Sequence, residues 1–147
     1  MRRVARSAIV EQSAERMFAL VDDIEAYPTF LPWCLGAKVH ERSGHTVRAT
    51  LTVGAAGLRQ SFTTRNENRP GEAIDLHLVQ GPFRSFAAAW RFTALSPQAS
   101  RIEFTLEYEF ASRALARLLE PLFDRMADTM VDAFSRRSTQ PDGPHEG

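Results

Sequence analysis

The chain has 147 residues, of which 44% are hydrophobic and 24% charged, with 18 Lys+Arg balanced by 18 Asp+Glu. That is one domain's worth of ordinary globular sequence, long enough to fold without metal or disulfide, and it excludes a disordered or collagen-like chain. A neutral total gives no global pull toward nucleic acid or anionic lipid, and the single cysteine, Cys34, excludes an internal disulfide and a thiolate zinc cluster.

The N-terminal Met1-Arg2-Arg3-Val4 has no apolar run behind its arginines, so it does not read as a signal peptide, and nothing approaches a membrane span. A first strand is expected over Val4 to Val10, then a helix capped by Ser13 with Met17, Phe18, Val21 and Ile24 at helical spacing. Pro28 and Pro32 break the following stretch into short turns carrying Tyr27, Phe30, Leu31 and Trp33. Turn signals then recur at Ser43-Gly44-His45, Gly54-Ala55-Ala56-Gly57, Asn68-Arg69-Pro70-Gly71, Gly81-Pro82 and Ser96-Pro97-Gln98. The runs between them alternate as half-buried strands, most clearly Ile102, Phe104, Leu106, Tyr108 and Phe110 against Glu103, Thr105, Glu107 and Glu109. Similar inward sets are Phe86, Ala88, Trp90 and Phe92, then Ile74, Leu76 and Leu78, then Val47, Ala49, Leu51 and Val53. Seven strands are expected. From Ser112 to about Arg137 the pattern becomes helical, with an apolar stripe through Leu119, Phe123, Met126, Met130 and Phe134. Pro121 should kink this helix, and residues 139–147 read as a disordered tail behind a domain spanning 1–138. The expected class is α+β: a curved antiparallel sheet gripping a long C-terminal helix, with two short N-terminal helices and a cavity between sheet and helix.

The stretch from Ser13 through Tyr27-Pro28-Thr29-Phe30-Leu31-Pro32-Trp33-Cys34, with Gly81-Pro82-Phe83, Trp90-Arg91-Phe92 and Met130-Val131-Asp132-Ala133-Phe134, resembles the coenzyme-Q-binding START-like family. This group lies within the polyketide cyclase/START superfamily and includes the RatA-type ribosome-association toxins. The resemblance implies a helix-grip fold with a hydrophobic tunnel, binding of ubiquinone in respiration, or blockade of ribosomal subunit joining. A cytoplasmic location is expected from the lack of a signal-peptide pattern or membrane-span run, with attachment to the inner-membrane periphery in the respiratory reading.

Four histidines, His40, His45, His77 and His145, lack metal-ligand spacing, and Asp22, Asp23 and Glu25 read as solvated carboxylates. Only Glu41, at a strand end, stands out as a general-base position, and Cys34 reads as a small buried hydrophobe. Gln60 and Thr64, on the inward phase with Phe62, could hydrogen-bond a quinone carbonyl. Met126 and Met130 suit an isoprenoid wall, and Tyr27, Phe30 and Trp33 an aromatic lip. Phe18, Leu31, Leu51, Leu76, Trp90 and Phe104 complete the expected ligand-binding set, with no cofactor beyond the bound quinone-like lipid.

Seventeen of the basic residues are Arg and one is Lys38, a bias that reads either as coding preference or as an RNA-facing surface. Arg48, Arg59 and Arg65, on neighbouring outward strand phases, are the expected contact to the large ribosomal subunit. The favoured reading is non-catalytic binding of a polyprenyl quinone in respiratory electron transport. The alternative is a toxin-like regulator of the ribosome.

Overall fold

The computed structural model describes residues 1–140. The chain forms β1 (Arg2–Val10), α1 (Ala14–Asp22), a 3-10 helix (Ile24–Thr29), β2 (Cys34–Ser43), β3 (Thr46–Ala55) and β4 (Leu58–Arg69). It continues through β5 (Ala73–Gln80), β6 (Phe83–Ser96) and β7 (Ala99–Phe110) to α2 (Arg113–Ser138). All seven strands pair antiparallel in the order β1-β7-β6-β5-β4-β3-β2. The short hairpin loops dictate neighbour pairing from β2 to β7, while β1 closes against β7 from the far end of the sequence. The expected seven-stranded sheet around a C-terminal helix is therefore what the chain adopts. Of the expected tail, Pro141 to Gly147 lie outside the described residues.

Both helices begin where a hydroxyl can satisfy a free backbone N–H. Ser13 Oγ accepts from the Arg16 N–H at 3.0 Å and Ser112 Oγ from the Leu115 N–H at 3.1 Å, each cap stabilising by about 1 kcal/mol. α2 then runs unbroken through Pro121, which lies on its exposed side, where water can serve the carbonyl left without a donor.

The concave sheet face buries α2 through two aromatic clusters. Phe123 meets Phe110, Phe83, Tyr108 and Phe62 at centroid distances of 5.3–5.9 Å. Eleven residues on, about 16 Å along the helix, Phe134 meets Phe30, Tyr27 and Trp90 at 5.1–5.4 Å. Between the two clusters α2 presents Met126, Ala127 and Met130, side chains without rings. The sheet changes at the same place: the β5–β6 ladder ends at His77 opposite Ala87, although the two strands continue to a two-residue turn.

Candidate functional site

A cavity occupies the interval between the clusters. Leu51, Phe62 and Leu76 line it from β3, β4 and β5, and Phe86, Ala88 and Trp90 from β6. Phe104 and Leu106 of β7 close the sheet side, α2 supplies Phe123, Met126, Ala127 and Met130, and Tyr27 stands at one end. Every group offered to the interior is apolar apart from the Tyr27 hydroxyl, and that hydroxyl donates to the Val21 carbonyl. Burial pushes the Tyr27 phenol well above its ordinary range, so it stays neutral. The free space is about 60 Å³. An apolar cavity of ~150 Å³ is what accommodates benzene, and drug-sized ligands take ~300–1,000 Å³. A substituted quinone ring with an isoprenoid tail therefore enters only if α2 and the sheet separate.

Eight residues expected to bind ligand converge here: Tyr27, Leu51, Phe62, Leu76, Trp90, Phe104, Met126 and Met130. The other six lie elsewhere. Phe18 packs edge-on against Phe92 at 5.8 Å, under α1, and Leu31 is buried outside the cavity wall. Gln60 is half-buried and its amide donates to the Ser61 carbonyl at 3.3 Å. Thr64 donates to Asn66 Oδ1 at 2.8 Å, so its polar group is already spent inside the sheet. Trp33, expected at an exposed lip, is 4% exposed and donates its indole N–H to Thr129 Oγ1 at 3.3 Å. Phe30 packs on Phe134 beneath the Arg137 guanidinium. Phe86, Ala88, Leu106, Phe123 and Ala127, absent from the expected set, complete the wall. The inward strand phase of the first three and the helical spacing of the last two from Met126 and Met130 carried that signal.

The three arginines also separate. Arg48 and Arg65 are directly opposed across β3 and β4, whereas Arg59 pairs with Gly54 at the hairpin end, six residues and about 20 Å along the strand from Arg65. Glu41 stands opposite Arg48, and Glu67 lies 3.9 Å from Arg65. Elsewhere on the outer sheet face Arg91 meets Asp75 at 2.9 Å and Arg3 meets Glu107 at 2.9 Å, whereas Arg48, though in register with Glu41, makes no ion pair within 4.0 Å among the described residues. Arg59 instead enters a groove beside α2. Two adjoining concavities of about 400 and 280 Å³ share Pro32, Trp33 and Arg125 as a common wall, with Arg59 at one end and Arg136 and Arg137 at the other.

The groups considered for chemistry serve the fold. Asp22, expected in solvent, accepts from Arg42 at 3.1 Å and from the Asn68 amide at 3.0 Å, tying α1 to β2 and β4. Glu25 accepts the Val39 N–H at 2.9 Å, satisfying a donor on edge strand β2. Cys34 is buried, and burial pushes its thiol up to about 11, leaving almost no thiolate at neutral pH. Glu41 is exposed at its strand end. His40 bonds Thr50 at 2.7 Å and His77 faces Glu67 at 3.3 Å. Among the described residues no three His, Cys, Asp or Glu side chains gather closely enough to hold a metal ion.

Comparison with known proteins follows this architecture. The family described as "Polyketide cyclase / dehydrase and lipid transport" matches residues 10–135. The ribosome association toxin RatA of Vibrio cholerae is 42% identical over 140 residues, 95% of this chain and 97% of that protein. The mitochondrial coenzyme Q-binding protein COQ10 homolog B of Xenopus laevis is 28% identical over 138 residues, covering 91% of this chain and 57% of that protein. A START superfamily protein from Mycobacterium smegmatis superposes with a TM-score of 0.75 at 24% identity, over 92% of this chain and 96% of that one. With its helix gripped by a seven-stranded antiparallel sheet, the chain belongs to the polyketide cyclase/START-like family.

Proposed function

We propose that this protein is a RatA-type ribosome-association factor that binds the large ribosomal subunit and hinders subunit joining, without catalysing a reaction. The observation that carries the reading is the 42% identity to a ribosome association toxin over 95% of the chain. That supports the toxin-like alternative over the quinone reading, whose named relative stands at 28%. The small cavity points the same way, since a standing quinone carrier would need room that about 60 Å³ does not provide. A ribosomal partner makes the cytoplasm the working compartment, and no described helix is long and apolar enough to cross a membrane. Cosedimentation of the purified protein with large subunits, and its effect on joining to small subunits, tests this. Binding with a reduced yield of joined particles is expected, and no binding even at low salt would overturn it.

A second reading, a bound hydrophobic molecule of polyprenyl-quinone type, draws on the apolar lining and on the adaptable Met126 and Met130. Trp90 lines the cavity whereas Trp33 does not, so a ligand entering it should quench Trp90 emission in a Trp33→Phe background. A flat titration with ubiquinone would remove this reading and leave the ribosomal one intact.

A further inference from the structure

The two flanks of α2 carry opposite charge, and only one flank is neutralised. Toward β1, Glu120, Asp124 and Asp128 repeat every four residues. Arg2 reaches Asp124 at 2.5 Å and Glu120 at 3.9 Å, and Arg6 reaches Asp128 at 2.5 Å. Toward the groove, Arg125 and Arg136 are exposed and have no carboxylate within 4.0 Å among the described residues, and the same holds for Arg59. Asp132, one turn before Arg136, makes no ion pair with it. Arg137 lies over the Phe30 ring at 5.5 Å and donates to Gln140 at 3.2 Å. No acidic side chain lines either concavity.

Arg136 and Arg137 sit in the last turn of α2, where cations complement the helix dipole. That does not account for Arg125 in the middle of the helix or for Arg59 on a separate hairpin. Four like charges around one groove repel one another, and an anion placed among them reverses the sign of the interaction.

We propose that this groove seats a phosphodiester strand of RNA, with Arg59, Arg125, Arg136 and Arg137 pairing its phosphates; the inference rests on the ribosomal reading above and names the surface that serves it. Guanidinium groups suit the role because their planar fork pairs phosphate oxygens bidentately. The spacing also fits. Arg125 and Arg136 are eleven residues apart on one helix, about 16 Å, which spans roughly four or five stacked nucleotides at ~3.4 Å each. The concave shape selects a strand over a bilayer, because a flat surface cannot follow arginines set along a trough. Trp33 forms part of the shared wall with its indole N–H committed to Thr129, which leaves the arginines as the charged donors of that wall.

The test uses the full chain, purified large subunits, a short fluorescent oligouridylate and phosphatidylglycerol vesicles. The double variant Arg125→Glu/Arg136→Glu should weaken binding to both subunits and oligouridylate by roughly a hundredfold, as expected for two lost charge-assisted contacts. The control Arg48→Glu/Arg65→Glu should bind as the unmodified chain does. Single changes Arg125→Ala and Arg136→Ala should each lower the slope of log affinity against log salt by about 0.7–0.9. Thermal melts confirm folding, and Arg59→Glu supplies an independent variant on another element. Groove variants that bind subunits normally while Arg48→Glu/Arg65→Glu fails would overturn the groove and keep the ribosomal reading. Subunits ignored by the unmodified chain, with oligouridylate still held through the groove, would overturn the ribosomal reading alone. Vesicle binding through these arginines without RNA binding would overturn the proposal in favour of a lipid surface.

Discussion

The outer sheet face and the groove beside α2 are built from the same residue type and differ in what surrounds it. On the sheet, Arg91 pairs with Asp75 at 2.9 Å and Arg65 lies 3.9 Å from Glu67, while Arg48 stands in register with Glu41 without forming an ion pair. In the groove, Arg59, Arg125, Arg136 and Arg137 come from elements separated in sequence and meet no acid along the lining. Paired charges on an exposed surface contribute little to stability and present little field to a partner. Unpaired charges focused in a concavity present the most. Arginine count alone therefore does not separate the two surfaces, whereas the acids lining one and missing from the other do.

The largest effect expected separates structural loss from charge loss. Phe123→Ala, inside the ring cluster on the inner face of α2, should destabilise the fold by about 3–5 kcal/mol in urea unfolding. Subunit binding by this variant should fall only as the folded fraction falls. A folded Phe123→Ala protein that fails to bind would place the interface on the buried face instead.

Next comes the groove itself. Arg125→Glu/Arg136→Glu should lower stability by about 1 kcal/mol or less, chiefly because Arg136 leaves the last turn of α2 without its complementary charge. The loss of affinity, roughly a hundredfold, should thus far exceed any loss of folded protein in the melting curve. A melting temperature that drops in step with affinity would make these arginines structural.

The acidic flank should behave in the opposite way. Asp124→Asn/Asp128→Asn removes the anchors of Arg2 and Arg6, whose side chains are 43% and 46% exposed. Such pairs are screened, so a loss of up to about 1 kcal/mol is expected in urea unfolding, with subunit binding retained. Weaker binding without a stability change would extend the interface round the helix to β1.

The smallest effect lies at high pH. Burial raises the Cys34 thiol from its ordinary value of about 9 to about 11, so its contribution to stability is complete below pH 9. It is lost as pH rises through 11, because the unfolded chain ionises first. Tyr108, pushed up to about 12 by burial and by Asp124, should extend the decline. Cys34→Ala should flatten the pH 9–11 part of the unfolding curve, and an unchanged slope would show the thiol to be solvated. At neutral pH, iodoacetamide should label Cys34 only once the protein is unfolded.

Periodicity alone carried the architecture. The strict alternation from Ile102 to Phe110, the helical stripe through Phe123, Met126, Met130 and Phe134, and the caps at Ser13 and Ser112 each identify an element locally. Those same patterns identified the inward side chains, which is why eight of the residues expected to bind ligand do line one cavity. Three things were decided only by the tertiary structure. How much space remains between sheet and helix depends on how Met126, Met130, Phe62 and Phe86 fill it together, and no single side chain encodes a volume. The fate of Gln60, Thr64 and Trp33 depended on nearby partners, Ser61, Asn66 and Thr129, which an inward phase does not reveal. Finally, the pairing of arginines is a property of neighbours in space. Arg59 was grouped with Arg48 and Arg65 by strand phase, whereas chain folding carries it to Arg125 and the open groove, because the β3–β4 hairpin ends beside α2.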